Sequence, residues 1–170
     1  LEGSRLVGIL SRRDIIAANR AAFYAKGLLD PDKQRSHTFC AADIMRTGLG
    51  VVYRESSILE AIDIILKRNI TGLPVVNPDW TIAGIISEKD ILEISTDFEK
   101  AQGPVEHYMT QNVVCFKTDD SLIDICDCLI HNNFRRVLIL DHAGRLSGII
   151  SRADMIAAIL KRRASTMRRR

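Results

Sequence analysis

A seven-residue phrase that recurs 64 positions apart constrains this chain more than any other feature. Its two matching copies are GIISEKD at Gly84–Asp90 and GIISRAD at Gly148–Asp154, and a third copy, GILSRRD, stands at Gly8–Asp14. Each copy follows a short apolar run and precedes a helical pattern, which predicts the end of a strand turning directly into a helix. Self-similarity at a fixed period is typical of folds built from duplicated units.

The duplication extends over the whole region around the phrase, because a shift of 64 residues aligns the two copies without a gap. Each copy predicts, in order, a strand, a helix capped by serine (Ser57 or Ser121), two strands joined by a turn, and a second helix. The predicted strands are 49–54, 73–76 and 82–86 in the first copy, and 113–117, 137–140 and 146–150 in the second. The first helix of the first copy carries one apolar stripe made of Ile58, Ala61, Ile62, Ile65 and Leu66.

Each unit is therefore β-α-β-β-α, and about 55 residues make too small a core to be stable alone. We expect an α/β (α+β) protein in which two such units stack. The predicted boundaries are 41–98 and 107–161 for the two repeats and 28–40 and 99–106 for linkers. Residues 1–27 are predicted to be the terminal strand (5–10) and helix (12–26) of a preceding repeat, which indicates a four-repeat protein or lost upstream residues. Residues 162–170 are predicted to be a disordered basic tail.

Charge and composition narrow the class of protein. No apolar run approaches the roughly 18 residues that a membrane span needs, no signal peptide is present, and the 4 cysteines are scattered, which favours a reducing cytoplasm. The net charge of +3 includes six basic side chains and no acid in residues 161–170, so the remaining 18 basic and 21 acidic residues carry about −3. That balance disfavours a nucleic-acid-binding protein.

The ordered set of motifs resembles the cystathionine-β-synthase (CBS) domain family. The motifs are DIM at 43–45, HYMT at 107–110, GLPVV at 72–76 and the recurring phrase, each in the same place in its repeat. Two such repeats form what is called a Bateman module, related by pseudo-two-fold symmetry. The resemblance implies a regulatory protein with clefts for an adenosine compound, and a homodimer formed through the helices.

Two Ser-x-x-Asp pairs, Ser87 with Asp90 and Ser151 with Asp154, are the first candidate site residues. From the residues alone, each pair is close to a capping box that starts a helix. This structural role would be enough to explain the presence of both residues. A carboxylate at such a helix start can also accept hydrogen bonds from a ribose diol. The resemblance implies this second role, with the aspartates on the ribose and the serines near the phosphates.

Arg135 and Arg136 are the second candidates, because the first repeat has Thr71 and Gly72 at the equivalent positions. In the gamma subunit of AMP-activated protein kinase, a family member, basic residues at this place contact phosphates, and guanidinium groups suit that task. The alternative is a solvated pair at the start of a strand. If the resemblance holds, the second cleft takes a phosphorylated ligand, and the first takes a less charged one or stays empty.

The walls of an adenine pocket are the third set of candidates. We expect residues 48–51 with Leu73 and Pro74 to line the first cleft, and residues 112–114 (including Asn112 and Val113) with Val137 and Leu138 to line the second. Most of these side chains would be apolar core in any case.

No arrangement typical of an enzyme or a metal site emerges. Cys126, Cys128 and His131 could suggest a metal cluster, but residues two apart on a helix point in different directions. We therefore predict a non-enzymatic module that senses AMP, ADP, ATP or S-adenosylmethionine and requires no cofactor. The alternatives are a structural dimerisation unit with degenerate clefts and, less favoured, a nucleic-acid-binding protein using the basic tail with Arg135 and Arg136.

Overall fold

A computed structural model describes residues 8–25, 40–95 and 102–167 of the chain. These residues form a mixed α+β protein with two three-stranded sheets and five α-helices. They divide into two compact units. Unit 1 holds the described residues of 1–45, 119–137 and 150–170, and unit 2 holds those of 46–118 and 138–149.

The first sheet has the strand order β1-β2-β3, formed by Val52–Tyr53, Gly72–Val76 and Ile82–Ser87. Strand β1 is parallel to β2, and β2 is antiparallel to β3 with Leu73 opposite Ile86. Helix α2 (Ile58–Arg68) connects β1 to β2, and helix α3 (Glu88–Ser95) follows β3 directly.

The second sheet repeats this arrangement with the strand order β4-β5-β6, formed by Cys115–Lys117, Arg136–Leu140 and Leu146–Ser151. Its helices are α4 (Leu122–His131) and α5 (Arg152–Met167), and helix α1 (Arg12–Ala25) precedes both repeats. The predicted order β-α-β-β-α is thus confirmed twice. Strands β1 and β4 are shorter than predicted, because only their last residues pair in parallel with the neighbouring strand.

Helix α2 shows how the sequence sets each helix. Its N-cap Ser57 accepts a hydrogen bond from the Glu60 amide at 3.2 Å, and Asn69 ends the helix in the left-handed conformation. Ile65 is buried with the other core positions, but Leu66 is 73% exposed, so its predicted place on the buried stripe was wrong. At 100° per residue, Leu66 lies about 80° from the centre of the stripe, at its edge.

The core of unit 2 packs α2 against the first sheet. Eight buried residues form it: Val52, Ile58, Ala61, Ile65, Leu73, Val75, Ile86 and Val105. A smaller cluster joins Val76 of the first sheet to Leu138 and Leu146 of the second. Burying apolar side chains of this size stabilises a fold by roughly 1.5–3 kcal/mol each.

Two boundary predictions need correction. Gly8–Leu10 do not form the predicted strand, and Ile9 and Leu10 are 87% and 74% exposed; no described strand pairs with them, and an unpaired strand has no ladder of hydrogen bonds. Within the predicted 99–106 linker, the Val105 amide donates to Ser56 O at 2.8 Å, just before the start of α2. Residues 162–167, predicted as disordered tail, continue α5 since they contain no glycine or proline to stop a helix. Residues 1–7, 26–39, 96–101 and 168–170 lie outside the described residues, and they include the first part of the predicted 99–106 linker.

The turn between β2 and β3 contains a strained tryptophan. Trp80 has φ +68°, and the equivalent residue of the second repeat is Gly144, with φ +79°. A left-handed conformation costs a bulky L-residue roughly 1–2 kcal/mol. Trp80→Gly should therefore be about 1 kcal/mol more stable than Trp80→Ala in urea unfolding.

The matched substitution in the other turn is Gly144→Ala. A β-carbon there meets no atom within 4 Å, so only the backbone conformation opposes it. We expect a loss of about 1 kcal/mol. Equal stability of the glycine and alanine variants at position 80 would contradict the assignment of strain.

Candidate functional site

The opening segment of the second repeat (residues 108–111) lies on the last strand of the first repeat, within unit 2. Thr110 and Ile85 exchange two backbone hydrogen bonds, each of 2.9 Å. Arg46, at the position equivalent to Thr110, pairs in the same way with Ile149 of the second repeat. Each opening segment therefore pairs with the other repeat, whereas the sequence predicts cleft walls within single repeats.

Gly84 permits this close approach. A β-carbon at Gly84 would lie 2.7 Å from Thr110 O and 2.8 Å from Met109 Sδ, distances that real β-carbons essentially never show. Gly84 is thus required by the opening segment of the second repeat, which passes over it. The sequence offered a signal for this contact, because a glycine inside a strand often marks a place where another backbone approaches.

Asp90 lies at the start of α3, where it closes a box with Ser87. Its Oδ2 atom accepts hydrogen bonds from the Ser87 amide at 2.8 Å and from Ser87 Oγ at 2.5 Å. This is the helix-starting role that the sequence predicts for the pair. It occupies one of the two carboxylate oxygens.

The other oxygen of Asp90 faces the opening segment of the second repeat. Thr110 Oγ1 donates to Asp90 Oδ1 over a long distance of 3.5 Å, and Asp90 is only half-buried. A carboxylate oxygen accepts more than one hydrogen bond. Asp90 Oδ1 and the Thr110 hydroxyl together form a small polar patch that can bind a hydroxyl-bearing ligand. Thr110 is not among the site residues that the sequence predicts.

Asp154 and Ser151 repeat the box at the start of α5, in unit 1. Asp154 Oδ2 accepts from the Ser151 amide at 2.9 Å and from Ser151 Oγ at 2.6 Å, and the aspartate is only 8% exposed. The same box forms at Asp14, whose Oδ2 accepts from the Ser11 amide at 2.8 Å. Hydrogen bonds from the Ser11 hydroxyl and then from the Ser11 amide hold the pKa of Asp14 below its ordinary value. Since all three copies form the box, the box by itself reports a helix start, not a ligand.

Arg135 and Arg136 lie at the start of β5, as predicted. The Arg135 carbonyl accepts a hydrogen bond from the Arg152 amide at 3.2 Å, and in the first repeat the Thr71 carbonyl accepts from the Glu88 amide at 3.3 Å. The two repeats are therefore structurally equivalent here and differ in charge. The Arg135 side chain is exposed, and Arg136 is half-buried.

The proposed cleft walls fall into two groups. Leu73 and Pro74 are buried in β2, and Leu73 is part of the core of unit 2 with 0% exposure, so only its backbone could reach a ligand. Asn112 is exposed and Val113 packs at the edge of the smaller core cluster. Both follow Thr110, so in unit 2 they continue the segment that passes Asp90.

A groove of about 640 Å³ lies elsewhere in unit 2, between the turns that contain Asp79 and Asp141. None of the predicted ligand residues lines it. Hydrogen bonds from Thr81 lower the pKa of Asp79, and bonds from Arg145 and Ala143 lower that of Asp141. At a pH above the ordinary aspartate pKa, both ionised carboxylates stabilise their turns. This stabilisation is lost as the pH falls through the lowered pKa values of the two aspartates. Asp79 and Asp141 therefore have a structural role in their turns, and Asp90 is still the candidate ligand residue of unit 2.

The described residues 8–25, 40–95 and 102–167 contain neither a metal cluster nor a membrane-spanning helix. No group of three or more histidine, cysteine, aspartate or glutamate side chains there is arranged to hold a metal ion. Cys126 is buried on α4. No helix in this part of the chain has the length and apolar character needed to cross a bilayer.

Comparison with known proteins gives a family match over more than half of the chain. The family model described as "CBS domain" matches residues 41–97 and 105–161. The inosine-5′-monophosphate dehydrogenase of Methanocaldococcus jannaschii is 35% identical over 123 residues, which cover 72% of this chain and 23% of that enzyme. The similarity to this enzyme is therefore confined to a small part of it.

Two solved structures are similar over most of the chain. CBSX2 of Arabidopsis thaliana, solved in complex with AMP, is 26% identical with a TM-score of 0.68, covering 74% of this chain and 98% of that one. The CBS domain pair of protein MJ0100, solved with 5′-methylthioadenosine and S-adenosyl-L-methionine, is 26% identical with a TM-score of 0.63, covering 71% and 99%. Both similar proteins bind adenosine compounds.

Proposed function

Because the chain belongs to the CBS domain family, we propose that it is a regulatory module that binds an adenosine-containing ligand through Asp90 and Asp154. The single observation that supports this most directly is the pair formed by Asp90 Oδ1 and the Thr110 hydroxyl, 3.5 Å apart. The ribose of an adenosine compound presents two adjacent hydroxyls that could donate to such a carboxylate oxygen. The adenosine ligands of CBSX2 and the MJ0100 domain pair support the choice of ligand class.

The position of Thr110 gives the proposal a mechanism. Thr110 belongs to the opening segment of the second repeat, while Asp90 belongs to the first repeat. A ligand that bonds to both residues favours the state in which this segment lies on β3. Ligand occupancy then shifts the equilibrium between conformations by its difference in affinity for them. An attached or partner protein that contacts the opening segment would respond to that shift.

Calorimetric titration tests the ligand. The unaltered chain should bind at least one of adenosine, AMP, ATP and S-adenosylmethionine. Asp90→Ala should weaken binding at its cleft about 10- to 100-fold, the effect of losing a hydrogen bond to a charged group. Thr110→Val, which leaves the α3 box intact, should weaken it in the same direction.

Glu93→Ala is the matched control, since Glu93 is an exposed carboxylate on the same helix that pairs with Lys89 at 3.4 Å. Its affinity should equal that of the unaltered chain. Equal affinities in Asp90→Ala, Asp154→Ala and the unaltered chain would remove both aspartates from the site. Absence of binding by all four compounds would leave the alternative of a structural dimerisation unit.

We also propose that the chain forms a homodimer through the outer face of α2 and α3 in unit 2. Leu59 and Leu66, seven residues apart on one face of α2, are 66% and 73% exposed, and Leu92 on α3 is 66% exposed. In the second repeat the residues equivalent to the α2 pair, Ile123 and Ile130, are half-buried. There, helix α1 packs against α4 and α5. Since a helix covers this face of α4 in unit 1, we expect helices of a second copy of the chain to cover the equivalent exposed face of α2 in unit 2.

A further inference from the structure

The groove of about 640 Å³ in unit 2 is not explained by the proposed adenosine site. One wall is the turn after β2, with Asp79, Trp80 and Thr81, and the other is the equivalent turn after β5, with Asp141 and Arg145. Clefts that bind ligands usually have volumes of roughly 300–1,000 Å³. The groove is therefore large enough to hold a side chain of another molecule together with part of its backbone.

The backbone of Trp80 is held in the groove wall from both sides. Its amide donates to Asn77 O at 2.9 Å, and its carbonyl oxygen accepts a hydrogen bond from the Leu146 amide, also at 2.9 Å. These bonds keep Trp80 at φ +68°, a conformation that glycine adopts without strain at the equivalent position, Gly144. Strained residues of this kind cluster at binding sites, where the surrounding structure holds them. The fold thus keeps an indole at a position where glycine would be more stable.

The indole of Trp80 is accessible to a ligand. The residue is 43% exposed, although it is one of the largest apolar side chains of unit 2. The face of an aromatic ring is negative, and among the aromatic side chains that of tryptophan binds a cation best. Trp80 therefore offers the groove a surface suited to a flat or cationic group.

Asp79, directly before Trp80 in the chain, selects a cation. Its Oδ1 atom accepts hydrogen bonds from the Thr81 amide at 3.1 Å and the Thr81 hydroxyl at 2.7 Å. Among the residues that the structure describes, none donates to Asp79 Oδ2 and no basic side chain pairs with Asp79. On the opposite wall, Arg145 Nε donates to Asp141 Oδ2 at 3.0 Å, so these two charges offset each other. The charge that is not offset in the groove is negative, and it lies beside the indole.

We propose that this groove binds an arginine side chain of a partner protein. A guanidinium group is planar, so it can lie against the indole of Trp80 while its N–H groups donate to the carboxylate of Asp79. A lysine ammonium is more strongly hydrated and cannot stack in this way, which favours arginine. The second repeat has no aromatic residue at this position of its turn, because Gly144 takes the place of Trp80. The proposal does not depend on the adenosine ligand, since neither Asp90 nor Thr110 lines the groove.

The fluorescence of Trp80 provides the test, because the chain contains 1 tryptophan. The probe is the peptide acetyl-Gly-Arg-Gly-amide, titrated without nucleotide at low and at high salt. The control peptide carries citrulline, which has nearly the shape of arginine but no charge. The arginine peptide should change the emission of Trp80 saturably, the citrulline peptide should not, and high salt should weaken the response.

Two variants locate the binding site. Asp79→Asn removes the charge but keeps an oxygen that can accept the bonds from Thr81, and it should lower the affinity for the arginine peptide about two- to fivefold. Trp80→Gly, measured by calorimetry, should lower the affinity by a similar factor. Asp63→Asn is the matched control, since Asp63 is an exposed aspartate of unit 2 on α2 and does not line the groove. Its affinity should equal that of the unaltered chain.

Three results would overturn the proposal. They are no response of Trp80 to the arginine peptide, an equal response to the citrulline peptide, and an unchanged affinity in both Asp79→Asn and Trp80→Gly. None of these results bears on the adenosine site, because the titrations contain no nucleotide. Conversely, a chain that binds the arginine peptide in this groove but no adenosine compound supports the groove and contradicts the proposed function.

Discussion

Replacing Gly84 by alanine is expected to destabilise the protein by about 3 kcal/mol, the upper part of the usual range for a side chain forced into a packed site. The added β-carbon would stand 2.7 Å from the Thr110 carbonyl oxygen, and a backbone atom cannot move aside as the end of a side chain can. The Thr110 segment must then shift away from Ile85. Urea unfolding monitored by circular dichroism measures the loss, and the affinity of the Asp90 cleft should fall with it.

Gly8→Ala is the matched control, because Gly8 holds the same place in the third copy of the phrase. A β-carbon there meets no atom within 4 Å. Its effect on the free energy of unfolding should stay within about 0.5 kcal/mol. If Gly84→Ala is as stable as Gly8→Ala, the crossing segment does not lie on β3 as described.

The double variant Leu59→Ser/Leu66→Ser is expected to raise the dimer dissociation constant at least 100-fold. Each leucine contributes roughly 1.5–3 kcal/mol when fully buried, and a two-fold interface loses every side chain twice. Because both leucines are more than half exposed in the single chain, the fold itself should keep nearly all of its stability. Sedimentation equilibrium gives the dissociation constant.

Lys67→Ser controls for the change on α2, since Lys67 is exposed and pairs with Asp63 on the same helix, at 2.8 Å. Its dimer should dissociate as that of the unaltered chain does. A chain that is monomeric before any substitution, or a double variant that dimerises normally, would contradict the proposed interface.

The order of elements could be predicted from the sequence because two independent signals agree in each copy. Ser57 and Ser121 cap the first helices as predicted, with hydrogen bonds of 3.2 and 3.1 Å to backbone amides. The apolar periods of helix and strand also place most of the core correctly. These signals depend only on residues close together in the chain, so they can be recognised without knowledge of the tertiary fold.

The partners of the opening segments could not be predicted in this way. Hydrogen bonds between Thr110 and Ile85, or between Arg46 and Ile149, join residues far apart in the chain, and nothing in local spacing specifies them. For the same reason the sequence does not predict Thr110 beside Asp90. It also places Leu66 in the core, although the structure leaves that side chain exposed. The roles of Asp90, Asp154, Arg135 and Arg136 as ligand residues remain predictions.

The pairing of Arg46 with Ile149 also bears on how the chain reaches its native state during synthesis. Arg46 leaves the ribosome long before Ile149 does. Its backbone groups therefore cannot form these hydrogen bonds until nearly all of both repeats has been synthesised. Contacts between distant residues slow folding, because a large loop must close before they form. A product that ends before residue 149 lacks the partner of Arg46 and therefore cannot form this bridge. Completion of the second repeat is thus a condition for the final placement of the segment that opens the first.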